Sequence, residues 1–161
     1  VSEILIVGYG NLLRGDDAIG CHAAHALEET FRGDPEVEVV ASQQLTPEMA
    51  DDVARCGFVV FLDAAEGGPA GTIRQAAVFP EPGPGGFSHT LTPSALLSAA
   101  AQLYGDAPPA MIISMTGGSF ELGNYLSPEV RQRLPEMVRQ VNEAVKSHRG
   151  GTRSERLVRT R

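Results

Sequence analysis

Three side chains in this 161-residue chain have types and surroundings that suit shared chemistry. Asp17 is the second of two consecutive carboxylates, Asp16-Asp17, which follow an apolar run and Gly8-Tyr9-Gly10. Asp63 closes a second apolar run, Phe58 to Leu62, and His89 lies in a Pro- and Gly-rich connector. Two carboxylates and one imidazole suit a divalent transition metal such as nickel, zinc or iron better than magnesium or calcium. Each residue also has a plain structural reading. Asp17 or Asp16 could cap a helix, Asp63 could accept from loop amides, and His89 could be an ordinary loop histidine.

The elements that must bring these residues together can be read along the chain. Ile4 to Val7 reads as a buried strand, after which Gly8 and Gly10 allow a tight turn and leave room beside the backbone. Residues 17–32 read as a helix, with Ile19, Ala23, Ala26, Leu27 and Thr30 on one face. Val37 to Ala41 reads as a second strand, and Thr46-Pro47 as the cap and first residue of another helix. Phe58 to Leu62, apolar throughout, suits a strand covered on both faces.

The fourth strand, Thr72 to Val78, begins after only Ala64 to Gly71. A parallel crossover needs about a dozen residues, so this strand is expected to run antiparallel to the third. The connector at 79–91 follows, then a helix from Pro93 to Tyr104 capped by Thr92 and closed by Gly105. Ala110 to Met115 reads as a fifth strand. If that strand is parallel to the first and third, the helix before it starts at their C-terminal edge. The connector, with a reach of about 40 Å at roughly 3.3 Å per extended residue, then delivers His89 beside Asp17 and Asp63. Ser127-Pro128 caps a short helix that Leu134-Pro135 interrupts, and a last amphipathic helix carries Met137, Val138, Val141, Ala144 and Val145.

Composition narrows the partners. The net charge is −7, but residues 149–161 hold five Arg against Glu155, so the body is −11. An acidic body argues against nucleic acid as the main partner. No apolar run approaches the roughly 20 residues that span a bilayer, so no membrane association and a cytoplasmic location are expected. Cys21 and Cys56 make no disulfide framework. The 149–161 segment, rich in Gly, Ser, Thr and Arg, reads as a disordered tail on a single domain of residues 1–148.

Other motifs are weaker. Gly8-Tyr9-Gly10 starts like a dinucleotide fingerprint, but Leu13 stands at the third Gly position and no phosphate-cradling lysine follows. In Cys21-His22-Ala23-Ala24-His25, Cys21 and His25 share the outer helix face while His22 flanks the apolar one, so the three do not converge. Ser88 adjoins His89, yet no nucleophile-elbow pattern is present.

Gly8-Tyr9-Gly10-Asn11-Leu12-Leu13-Arg14-Gly15-Asp16-Asp17-Ala18-Ile19-Gly20 resembles the N-terminal signature of the nickel–iron hydrogenase maturation proteases. The likeness continues through Gln44-Leu45-Thr46-Pro47-Glu48, Phe61-Leu62-Asp63-Ala64-Ala65, Phe87-Ser88-His89-Thr90-Leu91-Thr92-Pro93 and Gly117 to Gly123. The resemblance implies a three-layer α/β/α sandwich with a mixed five-stranded twisted sheet and one antiparallel strand. It implies an endopeptidase that removes the C-terminal extension of a hydrogenase large-subunit precursor once nickel is in place. Asp17, Asp63 and His89 carry over as the metal-contacting and catalytic residues, acting through nickel supplied in the precursor. Zinc or cadmium could occupy the same site in vitro. Asp16 is a secondary candidate for positioning water, and no nucleophile is assigned. Asp17 stands where some members have Glu, and Ala18 where many have Gly. A non-catalytic metal- or nucleotide-responsive assembly factor on the same scaffold is the alternative.

Overall fold

The computed structural model describes residues 2–83 and 90–159, with side chains through residue 151. Five strands form one sheet in the order β2-β1-β3-β5-β4. They are β1 (Ile4–Tyr9), β2 (Val37–Ser42), β3 (Phe58–Ala65), β4 (Ile73–Val78) and β5 (Ala110–Thr116). β1 pairs in parallel with β2 and β3, β3 pairs in parallel with β5, and β4 lies antiparallel on β5. The expected reversal of β4 is present; β5 is inserted between it and β3.

Among the described residues four α-helices cover the sheet: α1 (Ile19–Thr30), α2 (Met49–Arg55), α3 (Pro93–Tyr104) and α4 (Pro128–Arg159). α1 and α4 pack together on one face, and α2 and α3 on the other. The strands read as they must between two helical layers. Ile4 and Ile6 join Ile19, Leu27, Val130 and Met137 on the first face, whereas Leu5 and Val7 join Val53, Phe61, Leu96 and Leu97 on the second. Period-two alternation thus divides each buried strand between two cores. The result is the expected three-layer α/β/α sandwich.

α3 follows its sequence signals closely. Thr92 accepts from the Ala95 N–H at 3.1 Å, Pro93 is at the first turn, and Gly105 closes the helix at φ 90°. Other boundaries differ. The Thr46-Pro47-Glu48 segment forms turns, with Met49 N–H donating to Thr46 O and Ala50 N–H to Pro47 O, and α2 starts only at Met49. Leu134-Pro135 does not interrupt the last helix: α4 runs through Pro135 without a break. Its missing N–H costs one backbone bond in a helix whose apolar face, including Val130, Met137, Val141 and Val145, is fully buried.

The segment expected to be a disordered tail also differs. α4 continues to Arg159, and Arg149 belongs to the folded body. Its guanidinium donates to Asp34 Oδ2 at 2.6 Å and lies 3.6 Å from Glu36 Oε2, across the end of α1 and the start of β2. Arg149 thus has an acidic partner 115 positions away, which nothing near it in the sequence announces. Among the described residues, no helix is long and apolar enough to cross a membrane.

Candidate functional site

β1 and β3 are neighbours in the sheet, yet the chain leaves β1 toward β2 through α1 and reaches β3 through α2 on the opposite face. Their C-terminal ends therefore lie at the point where the winding reverses, where open α/β sheets form their crevices. Glycines decide how close α1 comes to this edge. A Cβ on Gly8 would overlap the Gly20 carbonyl oxygen, and one on Gly20 would overlap the Leu62 carbonyl oxygen. Gly10, at φ 149°, would drive a Cβ into the Asp17 carbonyl. The first turn of α1 thus rests directly on the main chain of β1 and β3.

Gly15–Ala18 forms a short 3-10 helix leading into α1, so the helical segment expected from residue 17 begins in that form. Neither carboxylate of the Asp16-Asp17 pair caps it. Asp17 Oδ2 accepts from the Asn11 N–H at 2.8 Å, folding the signature loop over its own carboxylate. Asp63 lies inside β3 rather than just past it. Its Oδ2 accepts from the Tyr9 hydroxyl at 3.0 Å and its Oδ1 from the Ala64 N–H at 2.7 Å.

Burial pushes Asp63 up to about 6 despite those two hydrogen bonds, and the negative charge of Asp17 adds to the rise. Burial and the Asp63 charge push the Tyr9 phenol up as well, so it stays a donor at neutral pH. The Asp17 charge thus bears on Asp63 at the shared strand edge. Carboxylate oxygens of this kind are ligands that could hold a divalent ion. Among the described residues no group of three metal-binding side chains is assembled. His89 lies outside the described residues. Its neighbour on the chain, Leu91, packs on the core face shared by Phe61 and Leu97, and α3 starts two residues later.

Asp16 plays a different part from the one its sequence position suggests. It is 0% exposed and accepts four hydrogen bonds, from Gly118 N–H at 2.6 Å, Ser119 N–H at 3.0 Å, Ser127 N–H at 2.8 Å and the Ser127 hydroxyl at 2.6 Å. Burial works to raise its pKa, but those bonds outweigh it and hold the carboxyl below its usual range. Backbone contacts extend the join: Asp16 N–H donates to Ser119 O, Gly15 N–H to Gly123 O, and Gly123 N–H to Leu13 O. The signature loop and the 117–127 loop are one clasped unit, with Asp16 at its centre. A fully enclosed carboxylate with these partners holds loops rather than water.

Cys21 also faces inward. Its thiol donates to Ser42 O at 3.2 Å and approaches Gly10 O at 3.5 Å, so it is buried between the ends of β1 and β2 whereas His25, one turn on, is exposed. Burial pushes the thiol up, and the Asp17 charge adds to this, which keeps it protonated and unreactive. Beside it a groove of about 440 Å³ runs between the signature loop and the end of β2, lined by Leu12, Leu13, Cys21, His25, Ser42 and Gln43 among others.

Sequence reasoning missed Tyr9. The available signal was its place one residue past Gly8, which pairs with Leu62, so that Tyr9 and Asp63 are the next two positions on adjacent parallel strands.

An α/β/α domain with an acid pair at the β1/β3 switch point defines the frame, and solved structures share its fold. Over 91% of this chain and 93% of that chain, the fold superposes on the hydrogenase maturating endopeptidase HybD from E. coli at TM-score 0.72 and 24% identity. The nickel–iron hydrogenase maturation protease HycI from Thermococcus kodakarensis KOD1 matches at TM-score 0.71 and 26% identity, covering 90% of this chain and 93% of that one. A hydrogenase 2 maturation peptidase from a Thaumarchaeota archaeon matches at TM-score 0.69 and 23% identity, covering 90% and 99%. No protein-family model and no curated protein sequence matches the chain. The chain thus shares the fold of these hydrogenase maturation endopeptidases.

Proposed function

We propose that the protein is an endopeptidase that removes the C-terminal extension of a nickel–iron hydrogenase large-subunit precursor after nickel insertion. Asp17, Asp63 and His89 recognise the nickel already held in that precursor. The observation that supports this reading best is the pairing of Asp17 with Asp63 at the switch-point edge. The charge of one raises the pKa of the other, a conflict that a bound divalent ion relieves.

The chemistry is amide hydrolysis: water adds across one peptide bond, giving a carboxylate on the shortened subunit and an amine on the released extension. The nickel belongs to the substrate. Precursor ligands hold it, and the two aspartates and the histidine complete its surroundings, so a precursor without metal offers little to bind. An ion next to the scissile bond could act as a Lewis acid on the carbonyl or on water, and no nucleophilic side chain is assigned. Tyr9 and Ala64 orient Asp63, and Asn11 orients Asp17.

The test mixes the protein with nickel-loaded and nickel-free precursor and weighs the large subunit by mass spectrometry. Shortening of the loaded form alone is the expected result. Shortening of both forms contradicts nickel recognition, and shortening of neither favours a non-catalytic assembly factor.

A further inference from the structure

Tyr9 and Asp63 extend past the last paired positions of β1 and β3, where Gly8 lies opposite Leu62. Alternation points both to the face occupied by Leu5, Val7, Val59 and Phe61, and the Tyr9 ring packs against that cluster. The ring is therefore fixed by packing, and its hydroxyl is delivered to Asp63 Oδ2 at 3.0 Å. The other oxygen, Oδ1, is held by the Ala64 N–H at 2.7 Å. With one fixed donor on each oxygen, the carboxylate cannot swing about its last torsion without losing a bond.

We propose that Tyr9 is a positioning residue that sets the plane of the Asp63 carboxylate for a divalent cation. This rests on the reading of Asp63 as a metal-contacting group. Phenylalanine would satisfy the apolar face equally well, so packing alone gives no reason for the hydroxyl; its one hydrogen bond among the described residues goes to Asp63. A carboxylate already held in place loses less rotational freedom when it meets the ion, and partners of this kind govern metal affinity.

The experiment titrates the full-length protein with zinc ion, a stand-in without spectral bands of its own, by calorimetry and by near-ultraviolet difference absorption. With three Tyr and no Trp, the chain gives an unobscured tyrosine signal. Wild type is expected to bind with a tyrosine difference spectrum, as cation binding at Asp63 perturbs the Tyr9 hydroxyl. Tyr9→Phe is expected to bind about 10- to 100-fold more weakly, to lose that spectrum, and to keep its thermal transition. Equal affinity in wild type and Tyr9→Phe, or a wild-type titration with no tyrosine change, overturns the positioning role and leaves the site reading standing. Absence of zinc binding by wild type, or an Asp63→Ala variant that binds as wild type does, overturns the site reading and this proposal together.

Discussion

Asp16 and Ser127, 111 positions apart in the chain, are joined by two hydrogen bonds to the same buried carboxylate, one from the Ser127 N–H at 2.8 Å and one from its hydroxyl at 2.6 Å. Two more come from Gly118 and Ser119. Replacing Asp16 by Ala leaves three backbone amides without their acceptor. Bonds to a charged group contribute about 1.5–3 kcal/mol each, and they are not additive. Asp16→Ala is therefore expected to lose about 3 kcal/mol or more in urea unfolding, while Ser127→Ala, which removes one donor, loses roughly 1–2 kcal/mol.

The same carboxylate sets an acid limit. Its folded pKa lies below the ordinary 3.8, so the folded state binds its proton less readily than the unfolded chain does. Its contribution is complete above about 3.8 and is lost as pH falls through the lower folded value. Wild type is expected to lose stability steeply below pH 4, and Asp16→Asn to show a shallower limb in the same window, read by thermal melts from pH 2 to 5.

Asp63 has the opposite sign. With its pKa raised to about 6 from 3.8, the folded state holds the proton more tightly, so stability falls as pH rises from about 4 to 6. Asp63→Asn is expected to raise the melting temperature by roughly 2–4 °C at pH 7 and to change it little at pH 4. Cation binding to wild type should strengthen across the same interval, because the ion needs the ionised form. An Asn variant less stable than wild type at pH 7 would contradict the assigned role of burial.

Gly20 carries the contact between α1 and the strand ends. Gly20→Ala would drive a methyl group into the Leu62 carbonyl and toward Tyr9 O, backbone atoms that cannot rotate away. A loss of about 3 kcal/mol or more is expected, seen as poor solubility or a lowered urea midpoint. Gly33→Ala is the control, since its Cβ would meet nothing and only its positive φ is at stake.

Arg149 separates body from extension. Truncation after Gly150 is expected to leave the melting temperature within about 2 °C of wild type. Arg149→Ala should cost about 1 kcal/mol and do so less at high salt, because its partners Asp34 and Glu36 are partly exposed.

Much of this architecture could be read from residues because local signals and connection lengths agreed. The short link from Asp63 to Thr72 forbade a parallel crossover, and Thr92-Pro93 with Gly105 bounded α3 correctly. Asp17 and Asp63 were legible as a pair because each follows an apolar strand of a parallel layer. What stayed hidden depended on partners distant in sequence. Asp16 looked like a cap or a water-positioning group, since nothing nearby announces that Gly118, Ser119 and Ser127 will enclose it. Arg149 looked like one of a run of solvated arginines until Asp34 and Glu36 came alongside. Pro135 was read as a breaker, but burial of the α4 face outweighs one lost bond. Tyr9 escaped notice because its neighbour across the sheet is set by register, which a single strand does not encode.

The glycines beneath α1 have one more effect. Where helix and strands meet atom-to-atom through their peptide groups, the approach of α1 to the strand ends is set by main-chain contact and not by the size of intervening side chains. Other interior positions can then be exchanged while that approach is kept, which is how solved structures sharing about a quarter of this chain's sequence can have the same fold.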